Sequence, residues 1–282
     1  MNINSICVCG AGTMGAGIAQ AAAQSGISTI LFDLNQGILD KASSAIDKNL
    51  SALVGKQKIS EEQKQRIQQR LQFTSDLQYC LADVFIEAIV EKPAAKIALF
   101  NQLAEINHGE SVFASNTSSL SLEKIAEQVK GPERLIGMHF FNPATIMKLV
   151  EVVNTRFTSP AATELILELA RQMGKTAVIC RDSPGFIVNR VARPFYIETM
   201  RLVEEGIVDL EQADRLLEAT GFKMGPFRLM DLIGNDINYA VSTSVYEQLG
   251  QPERLRPSGL QLEKLEAGKL GKKSGEGFYR YV

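Results

Sequence analysis

The chain has 282 residues, 30 basic against 32 acidic side chains, a net charge of −2 and a hydrophobic content of 45%. That length supports one large or two medium cores without covalent staples, and a balanced charge spread along the chain gives nucleic acid no electrostatic footprint. The four cysteines, at positions 7, 9, 80 and 180, show no metal or disulfide spacing and read as reduced, buried thiols.

The first half alternates apolar strands with helix-length segments, the pattern of a parallel sheet covered on both faces. Strands are predicted at Ser5 to Cys9, Ser28 to Asp33, Gln72 to Thr74, Asp83 to Ile89, Ser111 to Ser115, Leu135 to His139, Lys148 to Val153 and Thr176 to Cys180. The uncharged stretch from Ile6 to Gly26 lacks a basic leader and is broken by glycines and glutamines. Neither a signal peptide nor a membrane span is expected there, and a soluble, cytoplasmic protein follows. About fifty residues separate Asp33 from the strand at Asp83, far more than a crossover needs. Two helices fill the gap. One runs from Gln36 to Val54, and a second opens at Ser60-Glu61-Glu62-Gln63, which has capping-box form. Their turn carries Lys56 and Lys58, either solvated lysines or an anion site.

Past Cys180 the strand signal fades. Ser183-Pro184 reads as an N-cap followed by proline at the first helical position, opening a helix to about Glu205. Further helices are expected from Asp209 to Thr220, Pro226 to Leu249 and Ser258 to Ala267. Ile187, Val191, Phe195 and Leu202 recur at helical spacing, as core or as a subunit interface. A domain boundary falls near Asp182 to Gly185, giving units of residues 1–184 and 185–282.

Gly10-Ala11-Gly12-Thr13-Met14-Gly15 stands between the first strand and a small-residue helix, the required context for a dinucleotide turn. Gly10 permits the tight turn, Gly12 admits the pyrophosphate backbone and Gly15 allows close helix–strand packing. Asp33 ends the second strand about twenty residues on, where a carboxylate takes the adenosine ribose 2′-hydroxyl and repels a 2′-phosphate. The reading is NAD, with flavin the competitor. The fold class is therefore α/β: a Rossmann-type, mostly parallel sheet with a helical hairpin insertion, then an all-α C-terminal domain.

In open α/β sheets ligands bind beyond the carboxyl ends of the strands, and the polar residues fall there. Glu91 follows one strand, Ser115-Asn116-Thr117-Ser118-Ser119 follows the next, and His139 ends the strand after that. Singly each has a plain alternative: Ser118 or Ser121 as a helix cap, Glu91 as a first-turn acid, Asn189 as a structural residue. Glu151 interrupts the apolar run Leu149 to Val153, where a carboxylate needs a polar answer. A His139–Glu151 pair supplies one, with the imidazole able to exchange a proton near neutral pH. His108, the other histidine, reads as an exposed helix-end residue. No metal-ligand cluster or nucleophile elbow is present in the sequence.

The glycine fingerprint, together with Ala114 to Ser119, Gly137 to Pro143, Met147 to Val152, Asp182 to Arg190, Met224-Gly225-Pro226 and Lys272 to Gly275, resembles the L-3-hydroxyacyl-CoA dehydrogenases over the whole chain. Arg190 to Tyr196, Asp231 to Asp236 and Arg254 to Pro257 look most like the 3-hydroxyadipyl-CoA enzymes of phenylacetate breakdown, with similarity also to 3-hydroxybutyryl-CoA enzymes of fatty acid metabolism. The resemblance implies NAD-dependent oxidation of a 3-hydroxyacyl-CoA by a homodimer. It implies His139 as general acid/base, Glu151 as its orienting carboxylate, Ser118 and Asn189 around the substrate oxygen, and Asn142 as a further active-site polar group. Thr13, Met14, Glu91, Lys96 and Asn116 join the cofactor set, and Lys56 would meet the CoA moiety. At Asn49 the family often has serine, which puts that hydrogen bond in doubt. Arg193, Arg254 and Arg256 are candidates for the distal carboxylate of a dicarboxylyl chain. A related dehydrogenase of free sugar acids, similar to gulonate dehydrogenase, and a non-catalytic NAD-binding protein are the alternatives.

Overall fold

The computed structural model describes residues 3–107 and 111–281; His108 lies outside them. The chain divides into two compact units, residues 1–182 and 183–282.

In chain order the first unit comprises β1 (Ser5–Cys9), α1 (Thr13–Gln24), β2 (Ser28–Phe32), α2 (Gln36–Gly55), α3 (Glu61–Gln69), β3 (Leu71–Thr74), β4 (Val84–Glu87), α4 (Pro93–Ile106), β5 (Val112–Ser115), α5 (Leu122–Ala126), β6 (Leu135–Phe140), β7 (Leu149–Asn154), α6 (Pro160–Gln172) and β8 (Thr176–Arg181). The strands form one sheet in the order β3-β2-β1-β4-β5-β6-β7-β8. Every pairing is parallel except β6 with β7. The order reverses at β1, whose neighbours are β2 and β4, and this is the switch point where open α/β sheets take their ligands.

The pleat sorts the side chains. Ile6, Val8, Val84, Ile86, Ala114, Ile136, Met138, Val150 and Val152 belong to one buried cluster with α1, α2, α3 and α6. Cys7, Cys9, Phe85, Phe113 and Leu135 belong to another with α4 and α5. Because successive strand residues point to opposite faces, Glu87, Ser115, His139 and Glu151 all fall on the α4–α5 face, at the carboxyl ends of β4, β5 and β6 and opposite them on β7.

The long crossover is a helical hairpin. Ser60 caps α3 with a complete capping box, its hydroxyl accepting from the Gln63 amide while Gln63 Oε1 accepts from the Ser60 amide. In the turn before it Gln57 takes a positive φ of 55°.

The second unit contains α7 (Val188–Glu204), α8 (Leu210–Ala219), α9 (Pro226–Ile233), α10 (Asn235–Gln248) and α11 (Gly259–Glu266) around its own apolar cluster. Three sequence expectations are corrected here. Ser183 and Pro184 do not open α7. They belong to a turn closed by the Phe186 amide on the Ser183 carbonyl, and left-handed backbone at Gly185 and Phe186 (φ 74° and 46°) delays the helix to Val188. The helix predicted over Pro226 to Leu249 is two, because Gly234 at φ 105° breaks it and the Asn235 amide turns to the Leu270 carbonyl. The stripe Ile187, Val191, Phe195 and Leu202 is core only in part: Phe195 packs against the cluster, whereas Val191 is 71% exposed, and Tyr196, Ile197 and Met200 form the buried face. Two buried carboxylates brace the unit. Asp214 accepts from the Phe227 and Arg228 amides and the Tyr279 hydroxyl, and Asp231 from the Phe278 and Tyr279 amides and the Tyr281 hydroxyl.

Gly137 shows how tightly this part of the sheet is built. A Cβ there would lie 2.6 Å from Leu122 Cδ1 and 2.7 Å from Val153 Cβ. Gly137→Ala is expected to destabilise by roughly 1–3 kcal/mol, the cost of overpacking, and to lower the melting temperature by at least about 3 °C. An unchanged calorimetric melt would show that this approach is looser.

Candidate active site

The glycine turn is shaped by contacts that a side chain would destroy. Gly10 has φ 103°, and a Cβ on it would lie 2.6 Å from the Ala88 carbonyl oxygen; on Gly15 it would lie 1.7 Å from the carbonyl oxygen of Gly10. At Gly12 nothing stands within 4 Å of such an atom, so the backbone is open there to a ligand. Gly12 is the N-cap of α1 and supplies no side-chain cap, and the first turn begins with Thr13 and Met14. The unsatisfied amides of that turn and the positive end of the helix suit a phosphate.

Beside the turn lies a cleft of about 560 Å³, walled by Leu34, Ile38, Leu77, Val90, Ala98 and Leu99 and reaching Gly10, Gly12 and Asp33. Asp33 Oδ2 accepts from the Ala11 amide and Oδ1 from the Asn35 amide, each at 2.9 Å. The carboxylate thus locks the turn and stands at the mouth of an apolar slot. Such a slot takes a flat base, and a carboxylate beside it takes a ribose diol. The residues fit an adenine dinucleotide.

Across the switch point the loops after β4 and β5 are joined by a buried ionic network. Glu87 is fully buried and Lys96 is 1% exposed. Glu87 Oε1 accepts from the Lys96 ammonium and the Ile89 amide, and Oε2 from the Ser115 hydroxyl at 2.7 Å. Lys96 reaches Glu91 Oε2 at 3.0 Å, and Glu91 Oε1 accepts from the hydroxyls of Thr117 and Ser119. Burial pushes the Glu87 carboxyl up despite Lys96. Burial also opposes ionisation of Glu91, but there Lys96 and Thr117 prevail and its carboxyl is held below the usual range. Glu87 escaped the sequence reading, although it interrupts Val84-Phe85-Ile86 as visibly as Glu151 interrupts its own strand. Lys96 is enclosed by the two carboxylates.

His139 and Glu151 are directly opposite in the antiparallel β6–β7 pair. Nδ1 of His139 lies 2.7 Å from Oε2 of Glu151, with the two residues 5% and 1% exposed. Phe141 packs on the imidazole, ring centroids 4.6 Å apart. Asn116 ties the two neighbouring strand ends together, its amide donating to the Glu87 carbonyl and its Oδ1 accepting from the Phe140 amide. Ser118 is half-buried in the loop following β5. The helix cap is Ser121, which also donates to Asp182 Oδ2 at 3.0 Å. Asn142 is exposed and precedes Pro143 in a cis peptide. The turn beyond it is held by Lys175, whose ammonium donates to the carbonyls of Ala144 and Met147.

Other predicted residues lie on other elements. Lys56 is exposed at the end of α2, and Asn49, one helical stretch earlier, donates to Gln20 Oε1 at 3.3 Å. Asn189 lies in the first turn of α7 in the second unit, half-buried, its carbonyl accepting from Arg193 Nε. Arg193 is 2% exposed and donates through Nη1 to the Asn238 carbonyl and Ser242 Oγ, with Tyr196 against its guanidinium. Burial lowers it to about 10, so it stays charged at neutral pH. It therefore pins α7 to α10 and is withdrawn as a readily available partner for a substrate carboxylate. Arg256 is paired with Glu253 at 2.9 Å, and Arg254 sits in the same short helical turn.

Comparison with known proteins agrees with this geometry. Residues 5–183 match the family model described as 3-hydroxyacyl-CoA dehydrogenase, NAD binding domain, and residues 185–281 the corresponding C-terminal domain. The chain is 44% identical over 281 residues to a 3-hydroxyadipyl-CoA dehydrogenase of Escherichia coli K12, covering 99% of itself and 59% of that longer relative. It is 41% identical to a probable 3-hydroxybutyryl-CoA dehydrogenase of Deinococcus radiodurans, covering 97% of itself and 99% of the relative. The crystal structure of an (S)-3-hydroxybutyryl-CoA dehydrogenase from Ralstonia eutropha is similar over the full length of both chains, with a TM-score of 0.95 and 34% identity. Matched in both units by models of the same enzyme, the chain belongs to the 3-hydroxyacyl-CoA dehydrogenase family.

Proposed function

We propose that the protein oxidises (S)-3-hydroxyacyl-CoA esters to 3-oxoacyl-CoA with NAD, reversibly, on a short or dicarboxylyl chain such as 3-hydroxybutyryl-CoA or 3-hydroxyadipyl-CoA. The observation that carries this reading is the buried His139–Glu151 pair on the same sheet edge as a dinucleotide cradle. When bound, NAD supplies the acceptor for the hydride leaving C3. Glu151 accepts a hydrogen bond from Nδ1–H and so fixes the tautomer in which His139 Nε2 carries the lone pair. Nε2 then takes the proton of the C3 hydroxyl, and Glu151 stabilises the imidazolium that results. In the reverse direction the imidazolium returns the proton. Ser118 orients the substrate oxygen, Asn142 completes the polar surroundings, and Lys56 meets the CoA phosphates; Asn189 is a further substrate residue that the family resemblance implies. Asp33 takes the adenosine ribose.

The reading extends to the whole molecule. No helix among the described residues is long and apolar enough to cross a membrane, which is compatible with a cytoplasmic enzyme. Apolar side chains left open on the second unit, among them Val191, Phe222, Leu232 and Ile237 at 50–71% exposure, supply the surface for a homodimer.

A panel of 3-hydroxyacyl-CoA esters and free hydroxy acids, each offered with NAD and NADP and followed by cofactor absorbance, tests the reading. Turnover of the CoA esters with NAD is expected; turnover of free acids alone would replace it. His139→Gln should lower kcat by about 10²–10⁴-fold while the Kd for NAD stays within about threefold, and retention of a tenth of the activity would refute the acid/base role. Glu151→Gln should cost at least tenfold in kcat, and a loss below about threefold would remove its orienting part. Asp33→Ser should raise the Kd for NAD by roughly tenfold, the loss of charged hydrogen bonds, and narrow the preference over NADP. An unaltered preference would place cofactor discrimination elsewhere.

A further inference from the structure

We propose that the set Glu87, Lys96 and Glu91 is a fixed net negative charge beside the nicotinamide half of the site, and that this charge biases the enzyme toward the oxidised, cationic cofactor over NADH. The inference rests on the reading of this edge as an NAD site and adds to it a preference between the two redox states.

The placement follows from topology. The pyrophosphate belongs at the Gly10–Gly15 turn after β1, and the apolar slot with Asp33 lies on the β2 side, so the adenosine half goes there. The other half must extend to the opposite side of the switch point, over the ends of β4 and β5. Glu87 ends β4, opposite Ser115, which ends β5. Two carboxylates share one ammonium: Lys96 contacts both Glu87 and Glu91, and it is their only cation within salt-bridge distance among the described residues. Three donors converge on Glu87, the Lys96 ammonium, the Ile89 amide and the Ser115 hydroxyl; each favours the carboxylate form against the burial that pushes its carboxyl up. The sum is one uncompensated negative charge, with Glu87 and Lys96 buried and the Glu91 side chain 39% exposed.

Such a charge discriminates. The nicotinamide ring is cationic in NAD and neutral in NADH, while the rest of the two molecules is alike. A negative charge close to the ring strengthens binding of the first and leaves the second nearly unchanged. Lys96, enclosed between its carboxylates, acts through them and is a positioning residue. It sets the place of Glu91, and through Thr117 and Ser119 the place of the loop that carries Ser118.

The test is the Kd of NAD and of NADH measured separately by titration calorimetry on the intact protein. Glu87→Gln keeps the shape of the side chain and takes the net charge of the set to zero. It should weaken NAD by roughly tenfold, the size of one charge acting across about 10 Å at an effective dielectric near 20, with NADH altered less than about twofold. Glu91→Gln, at a partly exposed position, reaches the same zero charge and should shift the ratio in the same sense; it carries the test alone where Glu87→Gln does not fold. The double variant Glu87→Gln/Lys96→Gln restores one net negative charge and should restore the preference. Equal weakening of both cofactors by the single variants would reduce the set to a structural role, and an unmoved ratio would overturn the proposal. Failure of the parent protein to bind either cofactor would instead refute the dinucleotide reading itself.

Discussion

A carboxylate removed from water must be answered by donors or by a cation, and the carboxyl edge of this sheet holds two such groups, Glu87 and Glu151, both essentially inaccessible. Each organises its surroundings. Glu151 takes the imidazole of His139, which fixes both the direction and the tautomer of that ring. Glu87 takes Lys96, Ser115 and the Ile89 amide, and through Lys96 it gathers Glu91 and the loop that follows β5. The polar chemistry of the site is arranged as the solution to two desolvation problems on one face of the sheet, on β4 and β7.

Close approach of backbone to backbone is the second constraint. The switch point works as a cradle because Gly10 lies under the Ala88 carbonyl and Gly15 against Gly10, distances at which no Cβ fits. Strand ends are joined just beyond the ladder by the Gly10 amide on Phe32, the Ala88 amide on Cys9 and the Asn116 amide on Glu87. These bonds keep the loops in step with the sheet, so that a residue one or two places past a strand is positioned almost as firmly as one inside it. This is how loop residues such as Asp33, Glu91 and Ser118 come to share one edge.

Much of this was legible in the linear chain. The inner strands could be placed from apolar runs bounded by turn residues, because buried strands are nearly continuous in hydrophobicity, whereas the edge strands β3 and β8 are largely exposed. The α2–α3 hairpin was visible in the excess length of a crossover and in the Ser60 capping box. The misreadings have local causes. Ser183-Pro184 has the composition of a helix start, but Gly185 and Phe186 take left-handed backbone that tertiary packing imposes. Gly234 divides a stretch whose apolar spacing continues on both sides of it. Arg193 looked like an available cation because sequence carries no measure of burial, and its neutral partners Asn238 and Ser242 lie more than forty positions away.

The sequence by itself determined the class of the fold and the identity of the chemical groups: the glycine turn with its acidic partner about twenty residues on, a histidine at a strand end, and an acid inside an apolar run. These are local signals, fixed by what a backbone conformation or a buried strand will tolerate. Only the tertiary structure decided the pairings. Strand order and register set Glu151 opposite His139 and Glu87 opposite Ser115, and the pleat turned all four to one face. Register depends on contacts between residues far apart in the chain, and a shift of one residue would have pointed each side chain to the other side of the sheet.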